Sequence, residues 1–501
     1  MAAILPLQGR FDKAIPDNYG NAEYRAEREL LMAIDALIDS CGLEQPVIAY
    51  FLDVAYVNNV IAVFGTELSA RLTGAQRDHV RATAVIALRM ALLRKRLGLS
   101  LRKFSLALSH SDLYQWFCGI NRFCLPKIPG KSTVAELENA IPSFLIADIE
   151  PRLLRAAGGE SCSVLESPLD FSSSYVDCTC IRAMIHYPID WMLLKDATCT
   201  LMKAVARIRQ VGLCHRMPCE PHVFLSKMNK LCMEMTFAKR RPGSKKLRKA
   251  VLRRMKRLLK TVTGHAEAHL KRLESQWQTT SLSRGKVQQI ARQITAILSQ
   301  LAAAVRQAHE RIIGERRVDN SAKVLSLYEK EVHVVVRRKA GAEVEFGNTL
   351  YLAEQSDGLI IDWKFFRDQA PADCQMLPES HQRIAARLGV PVKLAAGDRG
   401  FDSESNRQHL QSHDIFNAVC PRNPAQLRER LEEQDFKDAQ RRRSQTEARI
   451  SILSHGFCGS PMKQKGFDHR HRHMGLSILS HNLWVLARVK LAQEKAKQPA
   501  A

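Results

Sequence analysis

The sequence predicts an α/β core interrupted by a long helical insertion and preceded by an all-helical N-terminal domain. Three observations predict it. Helical periodicity dominates from Glu27 to about Ala140, strand-like runs appear at 172–185 and again after about 323, and more than a hundred residues between them have helical spacing alone. The expected segments are 1–155, a core of 160–190 with 320–490, and an insertion of 191–319. Surface loops tolerate insertions of this kind, because closing a longer loop adds little entropy cost.

In the N-terminal part, residues 1 to about 25 are polar and without pattern. "TAVIALRMALLRKRLGLSLRKFSLALSHSDLYQWFCGI" then reads as a long helix, a break at Gly98, a helix from Ser100, a polar turn at Ser109–Ser111 and another helix. A helix-turn-helix and a bundle of short helices both fit this pattern. Gly158-Gly159 marks the boundary.

"SSSYVDCTCIRAMI", rich in small, β-branched and aromatic residues, is the first predicted strand. The insertion follows Pro188. It carries three apolar stripes at helical spacing: Leu201, Val205, Ile208; Leu247, Val251, Met255, Leu258, Val262; and Val287, Ile290, Ile294, Ile297, Leu301, Val305. The second lies in a run with twelve basic residues and no acid from Lys239 to Lys260. Charge runs are usually solvated faces. So many uncompensated positives also repel one another unless phosphates lie nearby, which makes Lys245, Lys246, Lys249 and Arg253 candidate DNA contacts.

Past Lys323, "EVHVVVRRKAG" and "EVEFGNTLYLAEQSDGLIIDWKFF" alternate like strands, with turn signals at Gly341 and "SDG". A helix at "PESHQRIAARLG", a short strand ending in a loop at "VPVKLAAGDRGF", one long helix from Pro424 to His455 and a last helix at "LSILSHNLWVLARVKLAQEK" complete the core.

Bulk composition narrows the function. A net charge of +24 favours a polyanion, nucleic acid before membrane. Thirteen irregularly spaced cysteines argue against a disulfide framework and for a reducing compartment. The start of the chain lacks the pattern of a signal peptide, and the apolar stretch "AVIALRMALL" is cut by Arg89 and too short to span a bilayer, so an intracellular soluble protein is expected.

Three acids stand out by position. Asp177 lies inside a strand, where aspartate is unfavourable without a task. Asp398 lies at the C-terminal end of the last predicted strand, where α/β folds gather ligands. Glu447 is the only acid between Asp438 and Asp468, on a basic helix. Two carboxylates from neighbouring strands and one from a helix packed on them suit a pair of Mg²⁺ ions about 3.5–4 Å apart, an arrangement for in-line attack at phosphorus. The local alternative is an ion pair of Glu447 with Arg443, worth a few tenths of a kcal/mol.

"VDCTCIRAMIHYPID", "LAAGDRGFDSESN" and "RRRSQTEARISIL" resemble the three acidic motifs of DDE transposases of bacterial insertion sequences. "VEFGNTLYLAEQSDGLIIDW" and "GLSILSHNLWVLAR" are similar to that family as well, and so, more weakly, is "LSLRKFSLALSHSDLYQWF". The resemblance implies an RNase H-like core and a Mg²⁺-dependent transposase, with Mn²⁺ as a substitute. Asp177, Asp398 and Glu447 would be the catalytic, metal-binding triad, with Asp177 bridging both ions. The implied reaction nicks DNA at the element's terminal inverted repeats and joins the 3′-hydroxyl to target DNA. It implies a homodimer or larger assembly in the bacterial cytoplasm, on the nucleoid and not on a membrane. Many relatives carry Tyr-x₂-Arg-x₃-Glu-x₆-Lys on the glutamate helix. Arg443 and Glu447 fit it, while Gln440 and Ser454 stand at the tyrosine and lysine places, where both retain groups able to hydrogen-bond a phosphate. An RNase H-fold nuclease without strand transfer and a non-catalytic DNA-binding descendant remain the alternatives.

Other motifs have simpler readings. "PGKST" lacks the spacing of a phosphate loop, and Ser132 reads as a helix N-cap. His469, His471 and His473 read as a basic solvated loop, Cys178 and Cys180 as strand packing, and Asp190 and Asp402 as helix caps or supports of the site. Asp362, in a strand-edge context, is the acid most easily mistaken for a catalytic one.

Overall fold

A computed structural model describes residues 21–64, 72–120, 127–159, 164–238, 243–339 and 342–497. Seven helices come first: α1 (Ala22–Ser40), α2 (Gln45–Phe64), α3 (Gly74–Arg96), α4 (Leu101–His110), α5 (Asp112–Phe117), α6 (Lys131–Asn139) and α7 (Ser143–Ala157). Strand β1 (Ser173–Arg182) follows, then helices α8 (Asp190–Gln210), α9 (Pro221–Ala238), α10 (Ser244–Gln276) and α11 (Arg284–Ile312). The remainder alternates: β2 (His333–Lys339), β3 (Ala342–Glu354), β4 (Ile360–Phe365), α12 (Leu377–Leu388), β5 (Leu394–Gly397), α13 (Glu404–Ser412), β6 (Phe416–Val419), α14 (Pro424–Arg430), α15 (Gln434–Ser451) and α16 (Phe467–Lys497).

The strands form one mixed sheet. β3 is its longest member and pairs antiparallel with β1 along its second half. Its other edge is shared end to end by β2 and β4, both antiparallel to it. β5 and β6 extend the sheet beyond β1, parallel to it. The order through β4 is therefore β4-β3-β1-β5-β6. Leu350, Tyr351, Leu352 and Ala353 are all buried, as expected of a central strand covered on both faces. Tyr351 and Ala353 join the core on the side of α12 and the N-terminal helices, whereas Leu350 and Leu352 face Met474, Ile478 and Phe457, the two-residue period of a strand.

The expected boundary at 155–160 does not separate two cores. Leu31 and Ile38 of α1, Leu88 and Leu92 of α3, and Ile149 and Leu153 of α7 belong to the same buried cluster as Val176, Ile361 and Ala395 of the sheet. Helix α16 joins them, placing Leu476, Leu479 and Leu483 in that cluster and Met474 and Ile478 in the one across the sheet. The insertion is different. α8 to α11 close around their own core, which contains Leu201, Val205, Met255, Val262, Ile294 and Ile297. Asp190, expected to cap a helix or support the site, fastens this bundle: Gln307 and Arg311 of α11 each donate to its Oδ1 at 2.8 Å.

Several local expectations are corrected. α4 and α5 are separated by Ser111 alone, where a polar turn over Ser109–Ser111 is expected, and six-residue α5 buries Leu113, Gln115 and Phe117. Gly130, not Ser132, precedes α6 as its N-cap. Leu247 is exposed, because α10 turns Leu252 and Leu259 inward beside Val251 and Met255. The single helix expected over 424–455 is α14, a break at Leu431–Glu433, α15, and then a π-helical turn at Ile452–Cys458. The short α13 and the four-residue β6 were not expected. His469, His471 and His473 belong to α16, not to a solvated loop. His473 is buried, with Nε2 against the Cys458 carbonyl and Nδ1 against Lys95 Nζ, and burial holds its imidazole down at about 4.

Much of the basic composition is structural. Arg89 is buried against Asp35, Asp39 and Glu44, Arg94 and Lys95 share Glu138, and Arg470 meets Glu329. These contacts occupy acids as well as bases, so the positive excess stays on the rest of the molecule. The described cysteines are all free. Among the described residues no helix is long and apolar enough to cross a membrane.

Candidate active site

The site forms where β1 outruns β5. The two strands pair in parallel from Ser173↔Leu394 to Tyr175↔Ala396. Asp177 lies two residues past the last pair on β1, and Asp398 two residues past it on the β5 side, so both stand at the same end of these neighbouring strands. At Asp398 the chain leaves the sheet and turns into a single 3₁₀ turn, Arg399–Phe401, capped by Asp398 itself: Gly400 N–H donates to its Oδ1 at 2.8 Å. Asp177 Oδ1 accepts the N–H of Cys178 at 2.7 Å.

Glu447 arrives on α15, which a buried anchor holds against the sheet. Glu354, at the end of β3, is fully buried. Arg442 Nη1 reaches its Oε1 at 2.6 Å, Thr446 Oγ1 donates to the same oxygen at 3.0 Å, and Arg449 Nε lies 3.4 Å from Oε2. These three residues follow one face of the helix at steps of four and three. Gly358, with φ +90°, makes the turn beneath it, and a Cβ there would collide with the Arg449 guanidinium. Phe436 and Ala439 pack against Tyr175, Ala396 and Ala418. Arg443 and Glu447 are thereby turned toward Asp177.

Asp177, Asp398 and Glu447 line one open cavity of about 400 Å³. Asp177 is the most constrained of them. Burial, and next the charge of Asp398, push its carboxyl up to about 6, against the opposing pull of the Cys178 N–H and Arg443. Arg443 lies 3.9 Å from Asp177 and 3.9 Å from Glu447, the outer limit of ion pairing in both directions. Its Nε is buried without a hydrogen-bond partner. The local Arg443–Glu447 pair weighed from sequence is thus loose and shared. Glu447 remains 62 % exposed. A second groove, containing Arg182, Ser451 and Ser454, shares Thr179 and Glu447 with the first.

Gln440 corrects an expectation. Its amide donates to the Gly397 carbonyl at 3.2 Å and to the Ala418 carbonyl at 2.5 Å, so it ties the ends of β5 and β6 together and is not offered to a phosphate. Ser454 lies in the π-helical turn, half-buried on the second groove, with its hydroxyl on Ser451 O at 3.3 Å. Asp362 is buried and clasped by Arg383 and Ser380, a structural role. Asp402 accepts the Arg422 N–H and an Arg407 guanidinium. On the insertion, Lys245 and Lys249 both pair with Glu315, at 2.8 and 2.7 Å. Lys246 and Arg253 are exposed with no ion pair among the described residues. Lys239, Arg240 and Arg241 lie outside the described residues.

Asp373, which sequence reading passed over, lines the same cavity as the three acids. It stands in a loop with no periodic pattern, so no local signal marked it. Among the described residues, no three acids, histidines or cysteines already stand in a geometry that would hold a metal ion. Comparison with protein-family models, curated proteins and solved structures finds no match to this chain.

Proposed function

We propose that this protein is a DDE-type DNA transposase with an RNase H-like core, cutting at element ends and joining the 3′-hydroxyl to target DNA. The observation that carries the reading is the meeting of Asp177, Asp398 and Glu447 at one cavity. They come from two parallel neighbouring strands and from the helix packed on them, with Arg443 among them. The sheet order β4-β3-β1-β5-β6, with β3 antiparallel to β1 and β5 and β6 parallel to it, supports the RNase H-like assignment. The basic excess and the exposed Lys246 and Arg253 support a DNA partner.

The donor set fits Mg²⁺ or Mn²⁺. It consists of hard carboxylate oxygens at an open polar cavity, and Asp177 there carries a charge that its surroundings oppose. Asp177 and Asp398 would hold the ion between them, and Glu447 would join by turning its exposed carboxylate inward from Arg443. When bound, the metal supplies charge to activate the attacking oxygen and to stabilise the leaving one. The chain does the rest. The anchor at Glu354 holds α15 in place, and the Gly400 N–H fixes one Asp398 oxygen. Arg443, released from Glu447, offers its guanidinium to a phosphate of the DNA end. Binding two ends at once calls for a dimer or larger assembly, and these DNA substrates place the protein on the nucleoid of a bacterial cytoplasm.

The test is a joining assay with Mg²⁺ and a pre-cut DNA end, on the wild-type chain and Asp177→Asn. Strand joining that Asp177→Asn abolishes is the expected result. Cleavage without joining leaves a nuclease. DNA binding with neither reaction leaves a non-catalytic descendant, the reading favoured by the exposure of Glu447 and the structural use of Gln440.

A further inference from the structure

We propose that Asp373 is a fourth carboxylate of this centre, set beside Asp398 to share in holding the divalent ion. This rests on reading the cavity as a metal centre. Asp373 opens a 3₁₀ turn, Asp373–Gln375, between β4 and α12. That turn packs against the 3₁₀ turn that Asp398 caps. The approach is closest at Gly400, where a Cβ would lie 2.8 Å from Asp373 Oδ2 and 2.9 Å from Asp398 Oδ1. Two carboxylate oxygens therefore approach one point beside Gly400, and a methyl group there would have to displace them. Gly400 lies outside the left-handed region, so its backbone does not require glycine.

The other side of Asp373 leads to the same place. Asp373 lines the same cavity as Asp177, Cys178 and Asp398. Arg422, which braces the turn after Asp398, donates to the carbonyls of Arg399 and Gly400 and leaves the Asp398 carboxylate to the cavity. Glu447 approaches from the opposite element, α15, and is far more exposed. Asp373 and Asp398 would serve the ion from one side of Asp177, and Glu447 from the other.

The experiment is a calorimetric titration of the full chain with Mn²⁺, without DNA, for wild type, Asp398→Asn, Asp373→Asn, Asp373→Glu and Gly400→Ala, with the Tm of each measured in EDTA. Wild type is expected to bind and Asp398→Asn to lose binding. Asp373→Asn should weaken it by about tenfold, the loss typical of a group next to a bound metal, with no fall in Tm. Asp373→Glu should recover part of the affinity. Gly400→Ala, which drives a methyl group between the two oxygens, should weaken it independently. Asp373→Asn at wild-type affinity, beside a dead Asp398→Asn, overturns the role of Asp373 and leaves the metal reading standing. A loss that comes with a lowered Tm and no recovery in Asp373→Glu makes Asp373 a structural residue and overturns the role equally. A wild-type chain that binds no Mn²⁺ brings down the metal reading itself.

Discussion

Replacing Asp177 by asparagine should stabilise the metal-free protein, although it changes a half-buried residue of the central sheet. The folded protein raises this carboxyl from its ordinary 3.8 to about 6, with burial and Asp398 as the leading causes. Two pH units correspond to about 3 kcal/mol between the charged and neutral forms. The folded state keeps this proton where the unfolded chain has released it. Stability therefore falls as pH rises from about 4 to about 6, and above that the ionised Asp177 costs the full amount. Asparagine keeps an oxygen for the Cys178 N–H and carries no charge, and the lost attraction to Arg443 is already contained in the net shift. Urea denaturation in EDTA should find Asp177→Asn more stable than wild type by up to about 3 kcal/mol at pH 8, and equal to it near pH 4. Adding Mg²⁺ should then stabilise wild type and leave the variant unmoved. A variant less stable than wild type at pH 8 in EDTA, or a difference that ignores pH, refutes the reasoning.

Three further outcomes are expected. Glu354→Ala removes the fully buried carboxylate shared by Arg442, Thr446 and Arg449, while Arg442 keeps its bonds to the Ser356 and Gln355 carbonyls, and should cost about 1–3 kcal/mol in urea denaturation. Neutralising Lys246 and Arg253 should reduce the slope of log K for DNA against log salt by up to about 2, at roughly 0.9 per phosphate contact, while Glu315→Gln, which frees Lys245 and Lys249, should steepen it; an unchanged slope removes the insertion from the DNA interface. Arg443→Ala should weaken binding of a DNA end and spare Mn²⁺ binding, and Glu447→Ala should do the reverse; if both variants merely unfold more easily, the pair is a structural ion pair.

Much of the architecture was legible in local pattern. The insertion could be read because three apolar stripes repeat at helical spacing, and Leu201, Val205, Met255 and Ile294 do form its core. Asp177 was legible as an acid inside a strand, and Asp398 as an acid at a strand's end. β6 was not, since four residues are too few to establish a period. The break between α14 and α15 was missed because both flanks are polar and helix-forming, and α15 is held by long-range contacts to Glu354.

The roles of individual polar side chains were decided in three dimensions. Gln440 has the spacing of a DNA contact, but the ends of β5 and β6 bring two carbonyls to its amide. Lys245 and Lys249 look uncompensated along the chain until the end of the bundle returns Glu315 to them. The N-terminal helices read as a separate domain, but α16, from the far end of the chain, carries them into the core of the sheet. Asp373 and Asp398 meet only because two turns pack at a glycine. Backbone periodicity is set by neighbours three or four residues away in a helix, or two in a strand, and is written locally. Charge pairing acts through space between atoms that the chain brings together only when the sheet closes, so tertiary packing determined which carboxylates stand at the cavity and which are consumed in holding it.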